Sequence, residues 1–153
     1  MKKILFALLL SVLVVGAIFI VYLKSNPPLV MQSYMKMQDN TAVTLITLDN
    51  QGLREIKLKQ LLVNDKLPEH VGLVISKSEP FEVDTKLEES SEMSLHKLTQ
   101  VAMLPRQYID PQAIGKPQHY ALQVTAPDIK KITIQYEYLK LPFTLTAELQ
   151  SEQ

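Results

Sequence analysis

Residues 129–149 read IKKITIQYEYLKLPFTLTAEL, and this stretch decides the fold class. Ile132, Ile134, Tyr136 and Tyr138 hold the even positions, with Thr133, Gln135 and Glu137 between them. Successive side chains of a strand point to opposite faces, so the pattern predicts one apolar and one polar face. Past Tyr138 the alternation continues in the other phase, on Leu139, Leu141, Phe143, Leu145, Ala147 and Leu149. A one-residue slip turns every side chain over, which calls for a bulge, a bend or a crossing between sheets near Tyr138 to Pro142. Pro142, with no amide hydrogen to give a ladder, predicts an edge position.

Upstream of this stretch the chain breaks into further short apolar or alternating runs separated by Asp, Asn, Pro and Gly. They are Val43 to Leu48, Leu53 to Val63, Val71 to Ser76, a weak run at Phe81 to Val83, His96 to Met103, and His119 to Thr125. Asp49-Asn50-Gln51-Gly52 has turn chemistry, and its glycine is free to take positive φ, so the first two runs are expected to form a hairpin. Seven or eight strands in about 110 residues predict an all-β fold, a β-sandwich of immunoglobulin-like topology, over residues 42–153. The analogy is one of fold, because the chain has neither the cysteines nor the tryptophan of antibody domains.

The N-terminus is of another kind. Ile4 to Leu23 is apolar apart from Ser11 and Gly16, and Lys2, Lys3 and Lys24 bracket it. Twenty residues of helix span ~30 Å, the thickness of a bilayer core. Residues 1–24 are therefore expected to be a signal anchor. The positive-inside bias keeps the N-terminus cytoplasmic and places the C-terminal domain outside. The alternative is a signal peptide cut near Val15-Gly16-Ala17, which would release a chain beginning Ile18-Phe19-Ile20. Residues 25–41 are expected to be a juxtamembrane connector with room for one short helix, since Asn26-Pro27-Pro28 cannot continue the first one.

Composition excludes several function classes. All sixteen acidic residues follow Lys24, against thirteen of the sixteen basic ones, so the domain is mildly acidic and a poor partner for nucleic acid. Without cysteine there is neither a lipoprotein anchor nor a disulfide. Only Gly52, Gly72 and Gly115 lie beyond the apolar segment, and no glycine-rich phosphate loop or nucleophile elbow occurs. Leu141-Pro142-Phe143-Thr144 matches four positions of a cell-wall sorting signal, but Leu145 stands where its glycine belongs and no apolar tail follows.

A few constellations could carry chemistry. Ser33-Tyr34-Met35-Lys36 and Ser94-Leu95-His96-Lys97 have the Ser-x-x-Lys spacing that, on a helix, brings a lysine to a serine. Here both sit in strand or loop patterns. His70, His96 and His119 lack the His-x-His or His-x3-His spacing of a metal pair. Met31, Met35 and Met37 with Met93 and His96 could offer soft ligands to copper(I), although thioethers beside a membrane are also ordinary packing material. Glu88 and Glu89 lack the alternating acidic ligands of a calcium loop. Tyr136, Tyr138 and Phe143, with Tyr108 from another connection, form either core or a candidate interaction surface.

The expectation from sequence is a non-enzymatic, membrane-anchored binding module of a bacterial cell envelope, with an envelope or membrane protein as partner and no cofactor or metal. The alternatives are an exported carrier of a small apolar ligand and, behind it, an envelope enzyme using serine and lysine or a metal.

Overall fold

The computed structural model describes residues 2–37, 42–78, 80–82, 91–110, 112–113 and 115–149. One helix, α1 (Lys2–Ser25), precedes eight strands: β1 (Leu29–Lys36), β2 (Val43–Asn50), β3 (Ile56–Val63), β4 (His70–Ser76), β5 (Met93–His96), β6 (His119–Thr125), β7 (Lys131–Tyr138) and β8 (Leu141–Glu148). The strands form two antiparallel sheets, β1-β2-β6-β4-β5 and β3-β7-β8, layered as a sandwich.

Helix α1 is long and apolar enough to cross a membrane, and its side chains from Lys3 to Tyr22 are exposed, whereas Leu23 is buried against the sandwich. Asn26 closes it, donating both its backbone N–H and its Nδ2 to the Tyr22 carbonyl at 3.0 and 3.2 Å. Only Asn26, Pro27 and Pro28 separate helix from sheet. The 25–41 segment is thus not all connector. Where a short helix had room, β1 pairs with β2 along the sheet edge. Its pattern was obscured by a bulge between Met31 and Ser33, which puts Met31 and Tyr34 on the inner face and Met35 on the outer.

The core lies between the sheets. Ile46 and Leu48 of β2, Leu73 and Ile75 of β4, and Leu122 and Val124 of β6 face Leu58 and Leu61 of β3 and Ile132 and Ile134 of β7. Burying one such side chain contributes about 1.5–3 kcal/mol, the main term available to a domain without disulfides. In β3 the inward residues change from even (Ile56, Leu58) to odd (Leu61, Val63), and a register shift between Leu58 and Gln60 absorbs the change.

The phase slip after Tyr138 has a different origin from a bulge or a crossing. β7 and β8 form a tight hairpin in one sheet, with Tyr138 opposite Leu141, Tyr136 opposite Phe143 and Ile134 opposite Leu145. In this register, even residues of β7 share a face with odd residues of β8. The turn residues Leu139 (φ 53°) and Lys140 (φ 64°) are both left-handed, as a two-residue hairpin turn requires. Neither is Asn or Gly, so the sequence carried no turn signal. Pro142 lies on β8, an edge strand, as expected.

Three other expectations need correction. Asp49 to Gly52 does not close a hairpin, because β2 and β3 belong to different sheets. The buried Asn50 directs the crossover: its Nδ2 donates to the carbonyls of Arg54 (2.9 Å) and Met103 (3.0 Å), and its Oδ1 accepts from Gly52 N (2.9 Å). The run His96 to Met103 is not a strand. β5 ends at His96, turns follow, and Met103 alone bridges Ile56. Phe81 and Glu82 are not in a strand, and Val83 lies outside the described residues.

Candidate functional site

The outer faces of the two sheets differ. That of the three-stranded sheet presents Lys57, Lys59, Gln135, Thr144, Thr146 and Glu148 to solvent, with Lys59 and Glu137 paired at 3.1 Å. The five-stranded sheet carries an apolar cluster on its outer side as well. Val43 and Leu45 of β2, Val74 of β4 and Ala121 of β6 form a second buried cluster on its outside, covered by Phe81 and Met37 and flanked by Met35 and Met93. This cluster is buried and forms a small second core, not an exposed apolar patch.

Beside this cluster lies a groove of about 400 Å³. Its floor is set by β1, β2 and β6, one wall by Pro80 and Phe81, and the other by Arg106 and Ile109. Asp49, nearly buried, accepts a hydrogen bond from Arg106 Nη1 at 3.0 Å, closing one end with an ion pair whose guanidinium is mostly exposed. Arg106 is placed by a 3₁₀ turn, Arg106–Tyr108, after Pro105. On the floor the bulge in β1 takes Ser33 out of regular ladder geometry, and Thr47 takes over: its Oγ1 accepts from Ser33 N at 3.0 Å and lies 2.7 Å from Ser33 Oγ.

His119 lines the same groove and, by the register that puts Leu48 opposite Tyr120, follows on the same face as Asp49. Desolvation lowers its pKa below the ordinary imidazole value, which favours the neutral ring. The groove thus offers a guanidinium, a neutral imidazole and paired hydroxyls on a polar floor, between walls that carry Pro80, Phe81 and Ile109. These groups recognise polar and apolar parts of a ligand together.

The residues singled out in the sequence are dispersed. Tyr136 and Tyr138 are buried in the main core, and Phe143 packs against them with ring centroids 5.6 and 6.2 Å away. The Tyr138 hydroxyl accepts from Leu53 N at 2.9 Å. The Tyr136 hydroxyl makes no hydrogen bond of good geometry, and burial pushes its pKa up to about 12, offset only in part by the nearby Leu29 backbone. Of the four aromatic candidates, only Tyr108 is largely exposed.

Both Ser-x-x-Lys segments fall on strands or just beyond one, where positions three apart point to opposite faces, so neither lysine is brought to its serine. Ser94 Oγ does lie 2.9 Å from His96 Nε2 on the edge strand β5, but among the described residues no carboxylate orients that imidazole. Met35, Met37 and Met93 meet in the outer cluster, whereas Met31 joins the main core. Among the described residues no three His, Asp or Glu side chains gather as a metal site. Glu88 and Glu89 lie outside the described residues.

Sequence reasoning missed the groove. Asp49 and Arg106 are 57 positions apart, and no local pattern in the sequence links them. Comparison with family models, with curated proteins and with solved structures finds no match.

Proposed function

We propose that the chain is a non-enzymatic, membrane-anchored binding module of a bacterial cell envelope, with α1 retained as its anchor and the sandwich on the extracytoplasmic side. The observation that carries this reading is the asymmetry of the sandwich: one outer face is polar, and the other holds a buried apolar cluster with an open groove of mixed polarity beside it. The partner is a neighbouring envelope protein that lays a segment with apolar and acidic or hydroxyl-bearing side chains along the groove, against Phe81, Arg106 and His119.

The fold is read more finely as immunoglobulin-like. The order β1-β2-β6-β4 against β3-β7-β8 corresponds to strands A-B-E-D against C-F-G of a constant-type immunoglobulin sandwich, with β5 added beside D. Binding through a sheet face is open to such a scaffold.

The test is photocrosslinking in intact cells from Gln32, exposed at the groove, and from Thr144, exposed on the polar sheet. A discrete envelope protein captured from Gln32 and not from Thr144, and lost in Arg106→Glu, is the expected result. Equal or absent capture from the two positions would remove the groove from the reading.

A further inference from the structure

Apolar side chains exposed on the sandwich are not spread evenly. Outside α1, six large hydrophobic residues are exposed among the described residues, and four of them, Leu53 (67%), Tyr108 (65%), Leu139 (42%) and Leu104 (37%), lie on the end of the sandwich where α1 enters. Three connections build that end, and specific contacts lock them together. Gln51 N donates to the Pro28 carbonyl at 2.8 Å, directly behind the helix exit. Leu53 N donates to the hydroxyl of Tyr138, the residue before the Leu139-Lys140 turn. Asn50 Nδ2 and the Ile56 backbone both hold Met103, just before Leu104. Gly52 is required here, since a Cβ would lie within 2.9 Å of both the Tyr138 ring and Pro28.

Around the exposed leucines this end is basic. Arg54 and Lys140 neighbour the exposed leucines, Arg106 stands beside them, and Lys24 ends the helix. Of the carboxylates there, Asp49 is nearly buried against Arg106 and Glu55 is 3.6 Å from Lys57, while the exposed Glu82, Glu92 and Asp110 lie farther from the helix exit, with Lys77 and Lys116 in the same connections. The opposite end is balanced: Asp65 and Asp128 are paired with Lys131 (2.7 Å) and Lys130 (3.3 Å), and Glu69 lies near Lys66 in sequence. A basic rim on a mildly acidic domain, with leucines and a tyrosine between the cations, has the composition of a surface lying in a membrane interface, where apolar tips enter the headgroup layer and cations meet lipid phosphates. The connector of three residues leaves the rim no room to stand away from the bilayer that α1 would cross.

We propose that this rim seats the sandwich directly on the bilayer, with Leu53 and Leu139 in the headgroup region and Arg54 and Lys140 on anionic lipid phosphates. The inference rests on α1 being a retained transmembrane anchor, and the test separates the two. The chain has no cysteine, so single cysteines at Leu53, Leu139, Leu67 and Val14 each carry one environment-sensitive dye. The labelled full-length protein is reconstituted into vesicles of phosphatidylcholine and phosphatidylglycerol, and circular dichroism checks that each variant is folded.

At Leu53 and Leu139 the dye is expected to be blue-shifted and quenched by a quencher attached shallowly to lipid, and at Leu67, on the far end, to report water. Adding Arg54→Glu and Lys140→Glu should return the Leu139 probe toward the aqueous signal. If Val14 is buried among deep lipid quenchers while Leu53 and Leu139 are as wet as Leu67, the rim proposal fails and the anchor stands. If Val14 is also wet, both fail.

Discussion

Asn50 is the residue through which the chain leaves one sheet for the other, and replacing it tests that account. In Asn50→Asp the shape is kept and Oδ1 can still accept from Gly52 N, but the Nδ2 hydrogens bound for the Arg54 and Met103 carbonyls are gone. Two lost hydrogen bonds cost about 1 kcal/mol each, and a buried carboxylate facing two carbonyl oxygens adds a desolvation and repulsion penalty of a few more. The expected destabilisation is ~3–5 kcal/mol near neutral pH. Asn50→Ala, which loses the bonds without adding a charge, is expected to cost ~2–3 kcal/mol.

The aspartate is distinguishable by pH as well as by size. Burial raises a carboxyl pKa, so the folded state would hold its proton at pH values where the unfolded chain has lost it. Its penalty is therefore smallest below the unfolded carboxyl pKa and grows as pH rises from there. Urea unfolding of the full chain in detergent between pH 4 and 8, followed by tyrosine fluorescence and circular dichroism, reads both quantities. Asp no worse than Ala, with no pH dependence of the difference, would refute the assignment of those donors.

Ile134→Asp should unfold the domain, since it buries an unpaired carboxylate in a core where total stability is about 5–15 kcal/mol, while Gln135→Lys on the exposed face should change the midpoint little. His119, with its pKa lowered, makes the folded state resist protonation. Stability should fall as pH drops below the unfolded imidazole value of 6.5, and His119→Gln should flatten that part of a melting-temperature profile. Tyr136 behaves in the opposite sense: with its hydroxyl near 12, stability should be lost as pH climbs above 10, and Tyr136→Phe should soften the alkaline transition in a stopped-flow titration. Replacing Leu139-Lys140 by Asn-Gly removes two left-handed residues that are disfavoured there, and should raise stability in detergent by about 1–2 kcal/mol.

The parts of the fold legible in the sequence were those where local pattern and tertiary environment agree. Ile132 to Tyr138 alternates because one of its faces is core and the other water, and β8 was placed for the same reason, whereas β6, buried on both faces, showed as a short apolar run. Legibility failed where a single residue departs from the pattern. Gln32, at the bulge, hid β1, and Leu-Lys in a turn that favours Asn-Gly turned a hairpin into an apparent sheet crossing. The true crossing, at Asn50, was masked by residues that also suit a hairpin. Its direction is set by a hydrogen bond to Met103, a partner 53 residues away, which no local window contains. The groove was hidden for the same reason, since Arg106 reaches Asp49 from a connection whose sequence suggests only a loop.

The connector of three residues also fixes an altitude. Ser33 lies four positions along β1 from Leu29, or ~13 Å at the rise of an extended strand, and Asp49 is one position from the end of β2 that meets the helix exit. If α1 crosses a bilayer, the groove therefore opens within roughly the depth of the headgroup layer and its first hydration shells, not at the tip of a flexible stalk. A partner arriving from bulk solvent would have to reach down along the sheet face to the bilayer surface to find it. A protein diffusing in the same membrane, with its own chain emerging at that height, would meet the groove edge-on in every lateral collision. The search for a partner becomes two-dimensional, and lengthening the connector by a few flexible residues would return it to three dimensions without touching a single groove residue.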